Sequence, residues 1–288
     1  MTLIDKNLYY VGGYVRDCIL NANSLDIDYT YQGNAIEFAQ KYKVIRENPA
    51  FGTVRIFCES SHKDIDIAST RKEIYPKPGH LPVVTEIGCS VEEDLIRRDF
   101  SINAIAKNTL TNKLIDPFNG VNDIKNKTIR ILHKNSFVDD PTRIIRALKF
   151  STRFDFQLDD ETYDLQTKYL ENINYDMCYH RLKKELKETF NLNKQATYSK
   201  FINQNLYKLL GKNQNIPNIK LNIEEIIKQY KIENAWIIYL GFFDLSNFEL
   251  TRTEKRILEW FDRLKSEKAT NNTPIESIIM YKIYSGKL

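Results

Sequence analysis

Residues 11–29 read VGGYVRDCILNANSLDIDY and join a tight turn, a helix and an acidic strand in one stretch. The stretch opens on Gly12-Gly13 and runs through Tyr14-Val15-Arg16-Asp17 into a helical pattern over 14–20. It breaks at Asn21, Asn23 and Ser24, then resumes as Leu25-Asp26-Ile27-Asp28-Tyr29. Successive side chains of a strand point to opposite faces, so a strand over 25–31 sets Asp26 and Asp28 on one face. Neighbouring carboxylates repel unless a cation sits between them. Paired oxygen ligands suit Mg²⁺, which completes its shell with phosphate oxygens and water. A Gly-Gly turn ahead of a helix admits a phosphate to backbone N–H groups, and Arg16 adds a charge-assisted donor one turn in. The combination points to metal-dependent phosphoryl or nucleotidyl transfer.

At 288 residues the chain has room for about two domains. A hydrophobic content of 42% supports a proper core, and 28% charged residues is ordinary for a globular protein. The formal net charge of +4 permits a polyanionic partner without requiring one. Cys18, Cys58, Cys89 and Cys178 are scattered with no CxxC pair, which fits a reduced protein rather than a disulfide scaffold or zinc site. The start MTLIDKNLYY lacks a signal-peptide core and no run approaches a membrane span. A cytoplasmic protein without membrane contact is expected.

Outward from the opening stretch, strands are predicted at 8–11, 43–47, 53–58 and 63–68, with a helix at 33–42 whose inward residues are Ile36, Phe38 and Ala39. Phe51-Gly52 marks a turn. Lys63-Asp64-Ile65-Asp66-Ile67 repeats the acidic alternation, so a neighbouring strand offers Asp64 or Asp66 as a third carboxylate beside Asp26 and Asp28. The competing reading is an edge strand with a solvated acidic face. Residues 71–89 carry Pro76, Pro78, Gly79, Pro82 and Gly88 and read as a loop free to move during function. Ser90 and Glu93 form a capping box for a helix over 90–97, which leads into Arg97-Arg98-Asp99-Phe100-Ser101-Ile102-Asn103-Ala104. Strands at 106–110 and 113–115 read as a hairpin, and the chain then turns at Asp116-Pro117-Phe118-Asn119-Gly120.

From Asp139 the period becomes helical. Asp139-Asp140-Pro141 starts a helix with a carboxylate at the cap and proline in the first turn. Arg143, Arg146, Lys149 and Arg153 form a basic stripe, and Ile144, Ile145, Ala147, Leu148 and Phe150 the buried face. Further helices are expected at 159–170 and 181–190, and no strand beyond about residue 135. The expected fold is α+β, a mixed-sheet N-terminal head followed by an all-α neck and body. Its expected domains are a catalytic head at 1–137, a neck at 138–200 and a helical body and tail at 201–288.

Taken together, these stretches resemble the class II tRNA nucleotidyltransferase (CCA-adding enzyme) and poly(A) polymerase family, within the polymerase-beta-type nucleotidyltransferase superfamily. The resemblance rests on Gly12-Gly13-Tyr14-Val15-Arg16-Asp17 with Asp26-x-Asp28, and on Glu93-Asp94-Leu95-x-Arg97-Arg98-Asp99-Phe100-x-x-Asn103-Ala104. Asp116-Pro117-Phe118-x-Gly120 and Asp140-Pro141-x-Arg143-x-x-Arg146-Ala147 follow in the family's order. It covers roughly residues 8–190, and several motifs in order are far more specific than any one.

The resemblance implies that Asp26 and Asp28 hold two Mg²⁺ ions, with Asp66 as the third carboxylate. It assigns Gly12, Gly13 and Arg16 to the triphosphate, and Arg98, Asp99 and Asn103 to the phosphates and ribose hydroxyls. Asp140 and Arg143 match the pair that reads the incoming base without a template, with Arg146 and Lys149 in support. Where the family often has Glu and Arg, this chain has Asp139 and Lys149, the latter without the bidentate fork.

Singly, each feature has a bland reading: a turn, a solvated strand face, intrahelical ion pairs, a surface helix. His62, His80, His133 and His180 show no metal-ligand spacing, and Trp236 and Trp260 read as core. The implied function is template-independent addition of CCA to the 3′ end of tRNA from CTP and ATP, with the acceptor stem held by the helical arm. Relatives that add only CC lack an effective loop at the position of 71–89, so its length here favours ATP use. The alternatives are an A-adding or CC-adding enzyme working with a partner, a poly(A) polymerase, or a non-catalytic RNA-binding relative.

Overall fold

Alternating burial along residues 53–58, with Val54, Ile56 and Cys58 inward and Arg55 outward, shows how the sheet of this chain forms. In the computed structural model, which describes residues 3–22, 27–59, 62–219 and 222–286, the chain divides into two units. One comprises 1–139 with 156–163, the other 140–155 with 164–288.

The first unit contains β1 (Leu8–Val11), α1 (Gly13–Ile19), β2 (Tyr29–Tyr31), α2 (Ala35–Ala39), β3 (Lys43–Asn48), β4 (Thr53–Cys58) and β5 (Lys63–Ser69). It continues with β6 (Arg71–Ile74), β7 (Val83–Ile87), α3 (Val91–Ile96), β8 (Ala106–Asn108), β9 (Leu114–Ile115), α4 (Gly120–Lys125), β10 (Thr128–Ile129), α5 (Ser136–Asp139) and β11 (Gln157–Leu158). Seven strands form one sheet in the order β3-β4-β5-β2-β1-β8-β9, and within it only β2 and β5 run parallel. Val11, Val91, Leu95, Ala104 and Ala106 form a buried cluster that packs α3 against this sheet. Each large apolar side chain buried here stabilises by about 1.5–3 kcal/mol. The capping box of α3 is formed: Ser90 Oγ accepts from Glu93 N (3.2 Å), and Glu93 Oε2 accepts from Ser90 N (2.9 Å).

Four expectations are corrected. Of the acidic strand predicted over 25–31, the described residues 27–31 form a strand at Tyr29–Tyr31, where Tyr29 and Thr30 are buried and Ile27 before them is 41% exposed. The pairing with β1 extends one residue further through Val11 N to Asp28 O (3.1 Å), while Asp26 lies outside the described residues. The helix at 33–42 shrinks to α2, capped by Asn34 Oδ1 accepting from Ile36 N (3.0 Å). Residues 71–89 contain the β6–β7 hairpin, paired from Arg71↔Ile87 to Ile74↔Val83, with Lys72 Nζ bonding the carboxylates of Glu86 across the hairpin and Glu93 of α3 at 2.8 Å each. Finally, β11 follows residue 135 and pairs parallel to β10, with Phe156 buried beside it.

The second unit contains α6 (Thr142–Arg153), most of α7 (Asp160–Glu171), α8 (Tyr179–Phe190), α9 (Gln195–Asn203), α10 (Ile223–Tyr230), α11 (Ala235–Leu240), α12 (Arg252–Arg263) and α13 (Ile275–Ser285). Its described residues hold no strand. Every residue of α11 is buried, and Phe190, Phe201, Trp236 and Tyr239 fill the centre, with the Phe190 and Phe201 rings at 89°. Trp260 instead lies half-buried beneath Arg263. No described helix is long and apolar enough to cross a membrane.

Candidate active site

The parallel register Tyr29↔Ile67 decides how the acidic residues meet. Tyr29 and Ile67 are both buried, so the residues just before them, Asp28 and Asp66, lie level on the opposite, exposed face. Asp64 sits two residues nearer the start of β5, paired with Phe57 of β4. Asp66 is therefore the β5 carboxylate level with Asp28. Its own partner is Arg55 of β4, whose Nε and Nη2 donate to Oδ1 and Oδ2 at 2.8 and 2.6 Å. Both side chains are well exposed, at 48% and 62%, so this pair is weak enough to open. Two exposed carboxylates on adjacent strands are a donor set suited to a hard divalent cation. The described residues alone supply no group of three His, Cys, Asp or Glu able to hold a metal.

The Gly-Gly turn leaves β1 directly beside this pair, since Val11 N bonds Asp28 O. Gly12 has φ +63° and ψ −126°, a conformation open to glycine, and a Cβ there would stand 2.9 Å from Arg98 Nη1. Gly12 N is itself taken by Ile105 O at 3.2 Å. Arg16 is 3% exposed; its Nε and Nη2 donate to Asp17 Oδ1 (2.9 and 2.6 Å) and its Nη1 to Asn103 Oδ1 (2.5 Å). Asn103 Nδ2 in turn donates to Asp99 Oδ1 (2.9 Å). Arg16 thus braces the turn against the Arg-Arg-Asp segment. Arg98 lies over the turn, 19% exposed; its Nε has no hydrogen-bond partner among the described residues. An unsatisfied guanidinium N–H beside a glycine turn is a ready anion contact.

Arg98 is held from behind by Asp94, which is fully buried and also takes Arg97 Nη2 at 2.7 Å. Burial alone raises the Asp94 carboxyl; the Arg98 and Arg97 guanidiniums and Arg71 N overcome it and hold the group below the usual carboxylate range. Downstream, Asp116 accepts from Gly120 N (2.7 Å) and Val121 N (2.9 Å) and so caps α4.

In the second unit, Asp140 is 5% exposed. Its Oδ1 accepts from Thr142 N (3.1 Å) and Thr142 Oγ1 (2.6 Å), and its Oδ2 from Arg181 Nη2 (2.5 Å). Arg143 is buried on the same turn at the start of α6. The basic stripe faces acids of α8: Arg146 Nη1 bonds Glu185 (3.1 Å), and Lys149 Nζ bonds both Glu185 and Glu188 (2.8 Å each). Burial would raise the Glu188 carboxyl, but the bond from Lys149 prevails and lowers it. Sequence reasoning missed Arg181, Glu185 and Glu188. Their signal was the spacing of four and three residues, one charged face of α8 opposite the stripe.

Residues 8–130 match the family described as Poly A polymerase head domain. The A-adding tRNA nucleotidyltransferase of Aquifex aeolicus is 42% identical over 165 residues, 54% of this chain and 20% of that protein. That of Halalkalibacterium halodurans is 36% identical over 198 residues, 64% of this chain and 46% of that protein. Among solved structures, an apo form of a CCA-adding enzyme superposes with a TM-score of 0.80 at 29% identity, covering 96% of this chain and 75% of that one. The head is of the nucleotidyltransferase kind. Over residues 8–130 this chain is similar to the class II tRNA nucleotidyltransferase/poly(A) polymerase family. It matches less than half the length of the two curated relatives.

Proposed function

We propose that this protein adds nucleotides to the 3′ end of tRNA without a nucleic-acid template, CCA in full, from CTP and ATP. The observation that carries this reading is the junction of β1 and β2: Val11 N bonds Asp28 O, so the glycine turn under Arg98 opens beside the Asp28–Asp66 pair. The 3′-hydroxyl of the primer attacks the α-phosphorus of the incoming nucleotide; the new O–P bond forms as the bond to the β-phosphate breaks and pyrophosphate leaves. Asp28, Asp66 and, on the family pattern, Asp26 would hold two Mg²⁺ ions, which would supply activation of the hydroxyl and charge neutralisation on the leaving group. Arg98 donates to the triphosphate at the Gly12-Gly13 turn, and Arg16 keeps Asn103 and Asp99 placed for the ribose hydroxyls.

Base choice falls to Asp140 and Arg143. Each carboxylate oxygen has two lone pairs, so Asp140 retains acceptor capacity beyond Thr142 and Arg181 for an exocyclic amine. A guanidinium donates to a ring nitrogen or carbonyl. Cytosine and adenine offer an amine beside an acceptor, and uracil and guanine the reverse. Arg146 and Lys149, tied to Glu185, hold α6 in place behind that pair. In this reading residues 1–137 do the chemistry in the cytoplasm, 138–200 select the nucleotide and 201–288 grip the tRNA.

The names of the two A-adding relatives favour a second reading, addition of the terminal A alone after a separate enzyme has added CC. Three labelled tRNAs ending at the discriminator base, at C and at CC, each given Mg²⁺ with CTP, ATP or both, separate the two. Extension of the bare tRNA to CCA supports the full reaction. Extension of the CC-ended tRNA alone makes the enzyme A-adding, and an adenine ladder makes it a poly(A) polymerase.

A further inference from the structure

The exposed face of the sheet carries an ordered row of charge on the side away from the glycine turn. Cross-strand partners share a face, and the pairs Arg46↔Arg55 and Arg55↔Asp66 align Arg46 of β3, Arg55 of β4 and Asp66 of β5, with Asp28 next in line. Like charges directly opposite destabilise a sheet, yet Arg46 and Arg55 face each other. Arg55 pairs with Asp66, and among the described residues Arg46 makes no ion pair. The neighbouring pair Asn48↔Thr53 adds amide and hydroxyl donors on the same face. Arg46, Asn48, Thr53 and Arg55, together with Glu47 and Asp66, line a cavity of about 190 Å³. Once a cation has taken Asp66, two guanidiniums and two neutral donors face one remaining carboxylate, Glu47, a balance that suits a phosphate.

We propose that Arg46 and Arg55 bind a backbone phosphate of the RNA whose 3′ end is being extended. The proposal rests on the nucleotidyl-transfer reading above. Strand order assigns the phosphate to the RNA rather than to the nucleotide. The triphosphate donors, Gly13 and Arg98, lie on the β1 side of the carboxylates, and the arginine pair lies on the β4–β3 side. Attacking and leaving oxygens stand roughly in line across the reacting phosphorus, so primer and pyrophosphate approach from opposite sides. At a strand spacing of about 4.8 Å, β4 and β3 lie roughly 10–14 Å from β2, within reach of a phosphate one or two nucleotides back from the 3′ end. Arg55 then has two partners: Asp66 when the site is empty, and the RNA phosphate once a cation has taken Asp66.

The test uses the full chain with Arg46→Gln, Arg55→Gln and Arg46→Lys. Affinity for a CC-ended tRNA is measured by fluorescence anisotropy across a salt series, and KM is measured separately for tRNA and for ATP. Arg46→Gln is expected to weaken tRNA binding about fivefold and to lower the slope of log K against log salt by about one, with the KM for ATP unchanged. Arg55→Gln shows the same loss, and Arg46→Lys recovers most of it. An unchanged tRNA affinity and salt slope in Arg46→Gln overturns the site. A raised KM for ATP with unchanged tRNA affinity also overturns it, giving the phosphate to the nucleotide. Failure of the wild-type protein to bind or extend any tRNA is a different result and sinks the underlying reading.

Discussion

Replacing Asp94 by Asn isolates the electrostatics that hold Arg97 and Arg98 beside the glycine turn. Asp94 is fully buried; its Oδ1 accepts from Arg97 Nε (2.9 Å), Arg97 Nη2 (2.7 Å) and Arg71 N (3.1 Å), and its Oδ2 from Arg98 Nη2 (3.2 Å). Removing one partner of a buried ion pair costs about 3–5 kcal/mol because the other charge stays behind. Asn keeps the shape and one acceptor, and Arg97 retains Glu73 at 3.1 Å, so the low end, about 3 kcal/mol, is expected. For a unit near 150 residues each kcal/mol moves the melting point by about 2–4 °C, which gives a fall of about 6–12 °C. The pH dependence fixes the cause. The folded carboxyl titrates below its ordinary 3.8, so its contribution is complete above that pH and is lost as the pH falls through the lowered value. Asn does not titrate, so the gap between wild type and Asp94→Asn narrows in acid. Thermal melts followed by circular dichroism at pH 7 and in a series below pH 4 make the comparison. A gap under about 2 °C at neutral pH, or one that persists unchanged in acid, refutes the reasoning.

Two further variants test the chemistry. Asp28→Ala is expected to cut incorporation by at least about 10²-fold while tRNA binding stays near wild type, as for loss of a group that acts on the transition state; normal turnover would sink the metal assignment. Asp140→Ala is expected to relax discrimination against UTP and GTP by roughly ten- to a hundredfold before activity fails, since one good bidentate base contact is worth about 1–3 kcal/mol. Unchanged selectivity in misincorporation assays would place the base reader elsewhere.

The sequence was most legible where a signal is local. The strand at 53–58 shows its burial in its own alternation, and Ser90 with Glu93 announces the start of α3 in four letters. It was least legible where a partner lies far along the chain. The prolines of residues 71–89 suggest only a loop, because the cross-strand partners of the β6–β7 hairpin, Lys72 and Glu86 among them, follow no period in the sequence. Arg16 donates from its Nη1 to Asn103, 87 residues away, a link that no local pattern marks. Arg181 lies 41 residues from Asp140, so nothing near either residue marks the pair.

The choice between Asp64 and Asp66 shows the limit most clearly. A period of two puts both carboxylates on one face, and no reading of one strand separates them. Only the partner strand does: β2 runs parallel to β5 with Tyr29 beside Ile67, so Asp66 is level with Asp28. The same register sets Arg55 beside Asp66 and Arg46 beside Arg55. The row of charge is therefore a property of how four strands are aligned. A one-residue slip of β4 would turn Arg55 into the core and Ile56 to solvent, so burial of Val54, Ile56 and Cys58 fixes the register. The packing that stabilises the head is thus also what places guanidinium beside carboxylate on its open face.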